Sequence, residues 1–206
     1  MEILEKAQEY EKKGIDITHL EIGEPTEKTN ELIKKYARQS INSNNTLYSN
    51  SLGIIELRNK IAEKYKTNHN VNISPEQIVI TTGSSAALIL SLLTLVKPGD
   101  QVVIVEPYYP CYPQLIRILG GKVRVFRTHV KDGYQINLKK LKEFLNKKDK
   151  VLILNSPSNP TGVSQREDVL SFLSSLKIKI ISDEIYEGLN YDSKGKTFLN
   201  YDREAI

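Results

Sequence analysis

Tryptophan is absent from these 206 residues, cysteine and methionine occur once each, and phenylalanine only four times. A single cysteine, Cys111, excludes an intrachain disulfide, and the start of the chain lacks the apolar stretch and small-residue cleavage site of a signal peptide. The expected setting is therefore a reducing cytoplasm. Long hydrophobic runs are also missing: Ala86–Val96, the longest, is eleven residues with Ser91 and Thr94 inside it. That is too short to cross a bilayer, so it reads as a buried helix with no membrane partner. Charge of one sign is nowhere concentrated. The 29 basic and 25 acidic residues give +4 spread along the chain, which suits anionic small ligands and not nucleic acid. His19, His69 and His129 are too far apart for a metal-ligand spacing and read as loop or surface residues. GxGxxG and GxxxxGK strings are lacking, which removes the main support for a nucleotide-binding α/β protein.

What is present is an alternation of short β-branched runs with longer helical stretches, the pattern of parallel strands joined by crossover helices. The strands are expected at residues 17–22, 77–82, 101–106, 122–127, 150–155 and 177–182, and most are apolar on both faces. Helices are expected at 2–13, 31–41, 54–65, 84–96, 110–119, 138–146 and 165–176. Gly14 stands where a C-terminal cap belongs, Asn137 can cap a helix start, and Ser164 with Glu167 spells a capping box. Residues 42–53 and 192–196 read as polar loops. The fold class is α/β: three layers, with a mostly parallel sheet between helices on both faces.

Four strand ends carry residues suited to ligand chemistry. Thr81-Thr82-Gly83-Ser84-Ser85 runs from a β-branched segment through a glycine turn into a helix start, where free N–H groups and hydroxyls favour an anion; it equally fits a plain turn capped by Ser84. Asn155–Gly162, NSPSNPTG, is a rigid loop at a strand's carboxyl end, offering the Asn159 amide to the crevice where open α/β sheets bind ligands. Ser182-Asp183-Glu184-Ile185-Tyr186 places a carboxylate at the same edge, either as a solvated strand-end acid or as the partner of a cation. Glu106-Pro107-Tyr108-Tyr109-Pro110 supplies rings that either stack on a flat ligand or pack in the core.

LEIGEP (20–25), YSNSLGIIELR (48–58), TTGSSAAL (81–88), EPYYPCY (106–112), NSPSNPTG (155–162) and SDEIY (182–186) together resemble, in order, the class I/II aminotransferases of pyridoxal-phosphate (PLP) fold type I, the aspartate-aminotransferase-like group. The resemblance implies PLP as cofactor and transamination between an amino acid and a 2-oxo acid. It places Gly83, Ser84 and Ser85 on the cofactor phosphate and Tyr109 on the ring face. Asn159 and Tyr186 fall on the ring's phenolic oxygen, and Asp183 on the ring nitrogen. Tyr48 would reach a neighbouring subunit's phosphate across a dimer interface, and Gly23, with Asn159, would lie against substrate. Residues 1–47 would be an N-terminal segment belonging to the small domain or the interdomain region, and 48–206 an incomplete cofactor-binding large domain.

The sequence departs from that pattern in lacking the Schiff-base lysine and the small C-terminal domain with its carboxylate-gripping arginine. The family's Schiff-base lysine follows the SDEIY segment by a few dozen residues, whereas Ile206 is twenty residues past Tyr186. Lys194 and Lys196 lie too close and read as solvated. The expectation is a fragment without its catalytic lysine or C-terminal small domain, inactive alone and pairing as a homodimer or with a complementing half. The alternatives are a lysine-less PLP-binding or partner-pairing module and a PLP-dependent β-lyase. An unpaired sheet edge and uncovered apolar face are expected to make the chain prone to association.

Overall fold

The computed structural model describes residues 2–20, 22–24, 27–191 and 195–206. The chain divides into two compact units, Met1–Tyr48 and Ser49–Ile206. The first contains α1 (Glu2–Glu11) and α2 (Glu31–Asn42). Gly14, at φ +81°, closes α1 by donating its N–H to Glu11, and Asn30 caps α2 by accepting from Leu32 N–H at 2.8 Å. Ile17–Leu20 and Ile22, expected as a strand, form no ladder. Only Ala7 is buried in α1 and no residue is buried in α2, so this unit has little core of its own.

The second unit is built on α3 (Ile55–His69), α4 (Ser84–Leu95), β1 (Gln101–Glu106), α5 (Cys111–Ile118), β2 (Lys122–Arg127), α6 (Leu138–Phe144), β3 (Asp149–Asn155), α7 (Glu167–Ser174) and β4 (Lys179–Asp183). The four strands form one parallel sheet in the order β2-β1-β3-β4. Both faces of the sheet are dry, as the continuous Val/Ile/Leu runs require. Val103, Leu152, Leu154 and Ile180 point into one layer with Leu141 of α6 and Val169, Leu170 and Leu173 of α7. Val102, Ile104, Val151, Ile153 and Ile181 point the other way, against Leu88 and Leu92 of α4 and Tyr112 and Ile116 of α5. Progress along the sheet reverses after β2, with α5 on one face and α6 and α7 on the other. The switch lies between β1 and β3, and a crevice opens at the carboxyl ends of strands at such a point.

Two local expectations give way to other solutions. Residues 78–82 are β-branched but form no strand among the described residues: Ile80 N–H reaches only the Leu52 carbonyl, at 2.9 Å. The preceding turn, Pro75–Gln77, carries the capping box, with Ser74 and Gln77 satisfying each other's backbone. Ser164 does not cap α7. That helix starts at Glu167 after Arg166, and the Ser164 hydroxyl bonds Asn190 Oδ1 at 3.0 Å instead. Asn137 does cap α6, accepting from Lys140 N–H at 3.1 Å.

The close run of Leu52–Gly53 beside Ile80 depends on glycine. Gly53 sits at φ +97°, and a Cβ there would lie 2.4 Å from Ile80 Cγ1. Gly53→Ala is expected to cost about 2–3 kcal/mol of unfolding free energy, from an unfavourable backbone region and an overpacked contact. A urea midpoint unchanged from wild type would show that Leu52–Gly53 is not held against Ile80.

β4 is the edge strand expected, with no strand on its outer side among the described residues, and Ile206 alone pairs there. Ile206 donates its N–H to the Ile180 carbonyl at 3.1 Å and accepts from Ser182 N–H at 2.7 Å, a parallel pairing. Lys196 is exposed, as expected, and pairs at the surface with Glu167 of α7. His69 is no surface residue: its side chain is buried, 3.4 Å from Glu187 and against the ring of Tyr65. Lys194 lies outside the described residues, as do Asp192 and Ser193 of the expected polar loop.

Candidate functional site

At the switch, three strand ends bring together residues far apart in sequence. The NSPSNPTG loop is fixed from within by Gly162 N–H on the Ser158 carbonyl and Ser158 N–H on Val163. Its base is fixed by Asn155, the last residue of β3. Asn155 accepts Asn159 N–H at 2.6 Å and donates its Nδ2 to the Asp183 carbonyl at 2.9 Å. The Asn159 Nδ2 then reaches the Tyr186 hydroxyl at 3.3 Å. The turn bearing Tyr186 is anchored from behind by Glu184, whose Oε1 accepts from the Ser182 hydroxyl at 2.7 Å and from Phe198 N–H at 2.6 Å.

Asp183 closes β4 and is only 8% exposed. Its Oδ2 accepts the Tyr112 hydroxyl at 2.5 Å, while Oδ1 has only the Ile185 N–H, at 3.4 Å. No lysine, arginine or histidine among the described residues pairs with it. A buried carboxylate with a weakly engaged oxygen and no cation beside it is an incomplete arrangement, and a cationic ligand would complete it. Burial first, then the hydrogen bond and charge of Asp183, push the Tyr112 phenol far above its ordinary range, so it remains a neutral donor.

Tyr109 follows β1 and meets Tyr112 edge-on, with ring centres 5.7 Å apart at 75°. The neighbouring Cys111 thiol is the main cause holding its phenol above the usual range, with smaller contributions from burial, Tyr186 and Asp183. Tyr109, Asn159, Asp183 and Tyr186 are thus one constellation, joined by two residues to which the sequence motifs assigned no role, Tyr112 and Asn155. Gly83, Ser84 and Ser85 form the start of α4, with Gly83 at φ +87°, no atom within 4 Å of where its Cβ would be, and both serines exposed. No hydrogen bond joins them to the constellation among the described residues; they share with it the core layer in which Leu88 of α4 packs with Tyr112. Gly23 and Tyr48 lie in the first unit and are exposed.

The sequence matches the family described as "Aminotransferase class I and II" over residues 15–204. This chain belongs to that family. Among its relatives, a (5-formylfuran-3-yl)methyl phosphate transaminase of Methanocaldococcus jannaschii is 41% identical over 202 residues, covering 98% of this chain and 52% of the relative. An aspartate aminotransferase of Bacillus subtilis is 38% identical over 196 residues, covering 93% and 50%. The solved Thermus thermophilus aspartate aminotransferase with maleate superposes with a TM-score of 0.92 at 32% identity, covering 97% of this chain and 53% of that one. The chain therefore spans about half the length of the curated relatives it matches. As in those structures the fold is α/β, and no helix among the described residues is long and apolar enough to cross a membrane.

For an aminotransferase-family chain, the donor set describes its ligand chemically. An aromatic ring, Tyr109, can lie on a flat molecule. Asp183 can take a positively charged ring nitrogen, and the Asn159 amide with the Tyr186 hydroxyl can take a ring oxygen. An open helix start with glycine and two exposed hydroxyls can take an anionic tail. No group of His, Cys, Asp or Glu among the described residues could hold a metal ion.

Proposed function

We propose that this chain is the cofactor-holding portion of a PLP-dependent aminotransferase, whose complete form moves an amino group between an amino acid and a 2-oxo acid in the cytoplasm. The observation that carries the reading is Asp183, a buried carboxylate without a cationic partner among the described residues, set within reach of an amide, a phenol and a stacking ring. Bound PLP supplies an electron sink for charge developing at the substrate's α-carbon. The chain's own residues do the holding. Asp183 keeps a proton on the ring nitrogen by offering it a carboxylate out of bulk water. Asn159 and Tyr186 donate to the ring oxygen. Tyr109 covers one ring face and excludes water from it. Gly83, Ser84 and Ser85 hold the phosphate with backbone N–H groups and hydroxyls. In a dimer Tyr48 reaches the neighbouring phosphate, while Gly23 and Asn159 face substrate.

The test is binding of pyridoxamine 5'-phosphate, which has the ring and phosphate but no aldehyde to react with surface lysines. Calorimetry is expected to show saturable binding, weakened about tenfold by Asn159→Ala through loss of one hydrogen bond to an anionic oxygen. A folded chain that gives no heat of binding up to millimolar ligand would overturn the reading.

A further inference from the structure

Tyr112 ends the EPYYPCY stretch without a role assigned to it from sequence, yet it is one of the largest side chains buried completely in this unit. It is the second residue of α5, where Tyr112 and Ile116 face the sheet together. A phenol in that position brings a hydroxyl into an apolar layer, and a buried hydroxyl needs a partner. The partner is Asp183 Oδ2, at 2.5 Å. The same ring meets Tyr109 edge-on at 5.7 Å. One residue therefore braces both groups assigned to the cofactor ring, the plate on its face and the carboxylate at its edge. Asn155 braces the same strand end from the other side, through the Asp183 carbonyl.

We propose that Tyr112 is a positioning residue for the cofactor's ring nitrogen, occupying one oxygen of Asp183 with its hydroxyl and leaving the other to the ligand. This rests on the cofactor reading above and deepens it. Two features make the hydroxyl suited to the role. It is a donor at every accessible pH, because burial and the adjacent carboxylate keep the phenol protonated. It also engages only Oδ2, so that Oδ1, whose one partner is the Ile185 N–H at 3.4 Å, faces a protonated ring nitrogen with little competition. A Tyr112 that merely filled space would need only its ring. Phenylalanine supplies that ring and its contact to Tyr109, so Tyr112→Phe isolates the hydrogen bond.

The experiment is a double-mutant cycle read by calorimetry with pyridoxamine 5'-phosphate on wild type, Tyr112→Phe, Asp183→Asn and the double variant. Tyr112→Phe is expected to weaken binding about tenfold on the wild-type background, the scale of a hydrogen bond to a charged group, and not at all on the Asp183→Asn background. An equal tenfold loss on both backgrounds assigns Tyr112 a structural role and overturns the inference, as does unchanged binding by Tyr112→Phe. A second readout uses the cofactor labelled with nitrogen-15 in the ring. Its chemical shift is expected in the protonated range on wild type and displaced toward the neutral range in Tyr112→Phe. Should that variant not fold, the wild-type shift still decides, since a neutral ring nitrogen there overturns the inference while leaving cofactor binding intact. Absence of any binding by wild type overturns the cofactor reading and this inference together.

Discussion

Asp183→Asn is expected to weaken pyridoxamine 5'-phosphate binding about a hundredfold while leaving the free chain as stable as wild type or more so. The two effects have one cause. In the free chain Asp183 is buried, accepts one strong hydrogen bond from Tyr112 and has no cation beside it among the described residues, so its charge is kept from water without full compensation. Asparagine has the same shape, can still accept from Tyr112 through its oxygen, and brings no charge, which removes that cost. With the ligand present the balance reverses. The carboxylate meets a ring N–H⁺ in a site shielded by Tyr109 and Tyr112, and a charge-assisted bond there contributes about 2–3 kcal/mol that an amide does not reproduce. Calorimetry and a thermal melt of the same preparations check both halves. Unchanged affinity would separate Asp183 from the ring nitrogen, and a lowered melting temperature without ligand would show that its charge is satisfied by the protein itself.

The sequence was most legible where one signal decided the outcome. The runs Gln101–Glu106 and Lys122–Arg127 form strands with the expected bounds, the first because it is apolar on both faces, the second because its Val123, Val125 and Phe126 pair in register along β1. Residues 77–82 show the same composition and fail, since extended preference becomes a strand only where a neighbouring ladder exists, and Ile80 finds a single carbonyl. Ser164 and Glu167 show the related failure for capping: the spacing is right, but Asn190 competes for the hydroxyl. At the candidate site, Asp183, Asn159, Tyr109 and Tyr186 were visible because their motifs are distinctive strings. Tyr112 lies in such a string, but its role was not legible, because it depends on a contact 71 positions away in sequence. A signal was available all the same: a tyrosine four residues before Ile116 on the apolar face of a short helix must bury its hydroxyl, and the acceptor had to come from another strand end.

Phe198→Ala tests whether the segment after the site belongs to the core, and it is expected to lower the unfolding free energy by about 3–5 kcal/mol. Read as sequence, the chain past Tyr186 offers only a polar loop at 192–196, and no core position is marked there. In the structure Phe198 is 2% exposed and packs with Ile180 of β4 and the α6 and α7 layer, its ring tilted against Tyr201. Its placement is fixed on three sides: its own N–H bonds Glu184, the buried Thr197 accepts from Leu199 N–H at 3.3 Å, and Ile206 pairs with β4. Removing the ring leaves a cavity bounded by these fixed groups, which cannot collapse to fill it, so the cost belongs at the upper part of the range for core truncations. Against a total stability of about 5–15 kcal/mol this is a large fraction, and the urea midpoint should fall accordingly. Phe198→Leu keeps most of the volume and is expected to lose less than about 1.5 kcal/mol. Phe198 belongs to the opposite face of the sheet from Tyr112, so the folded fraction of Phe198→Ala should bind pyridoxamine 5'-phosphate within about threefold of wild type, as independent sites do. A loss below about 1 kcal/mol would mean that the segment around Phe198 only rests on the sheet, and that Glu184 positions the Tyr186 turn without it.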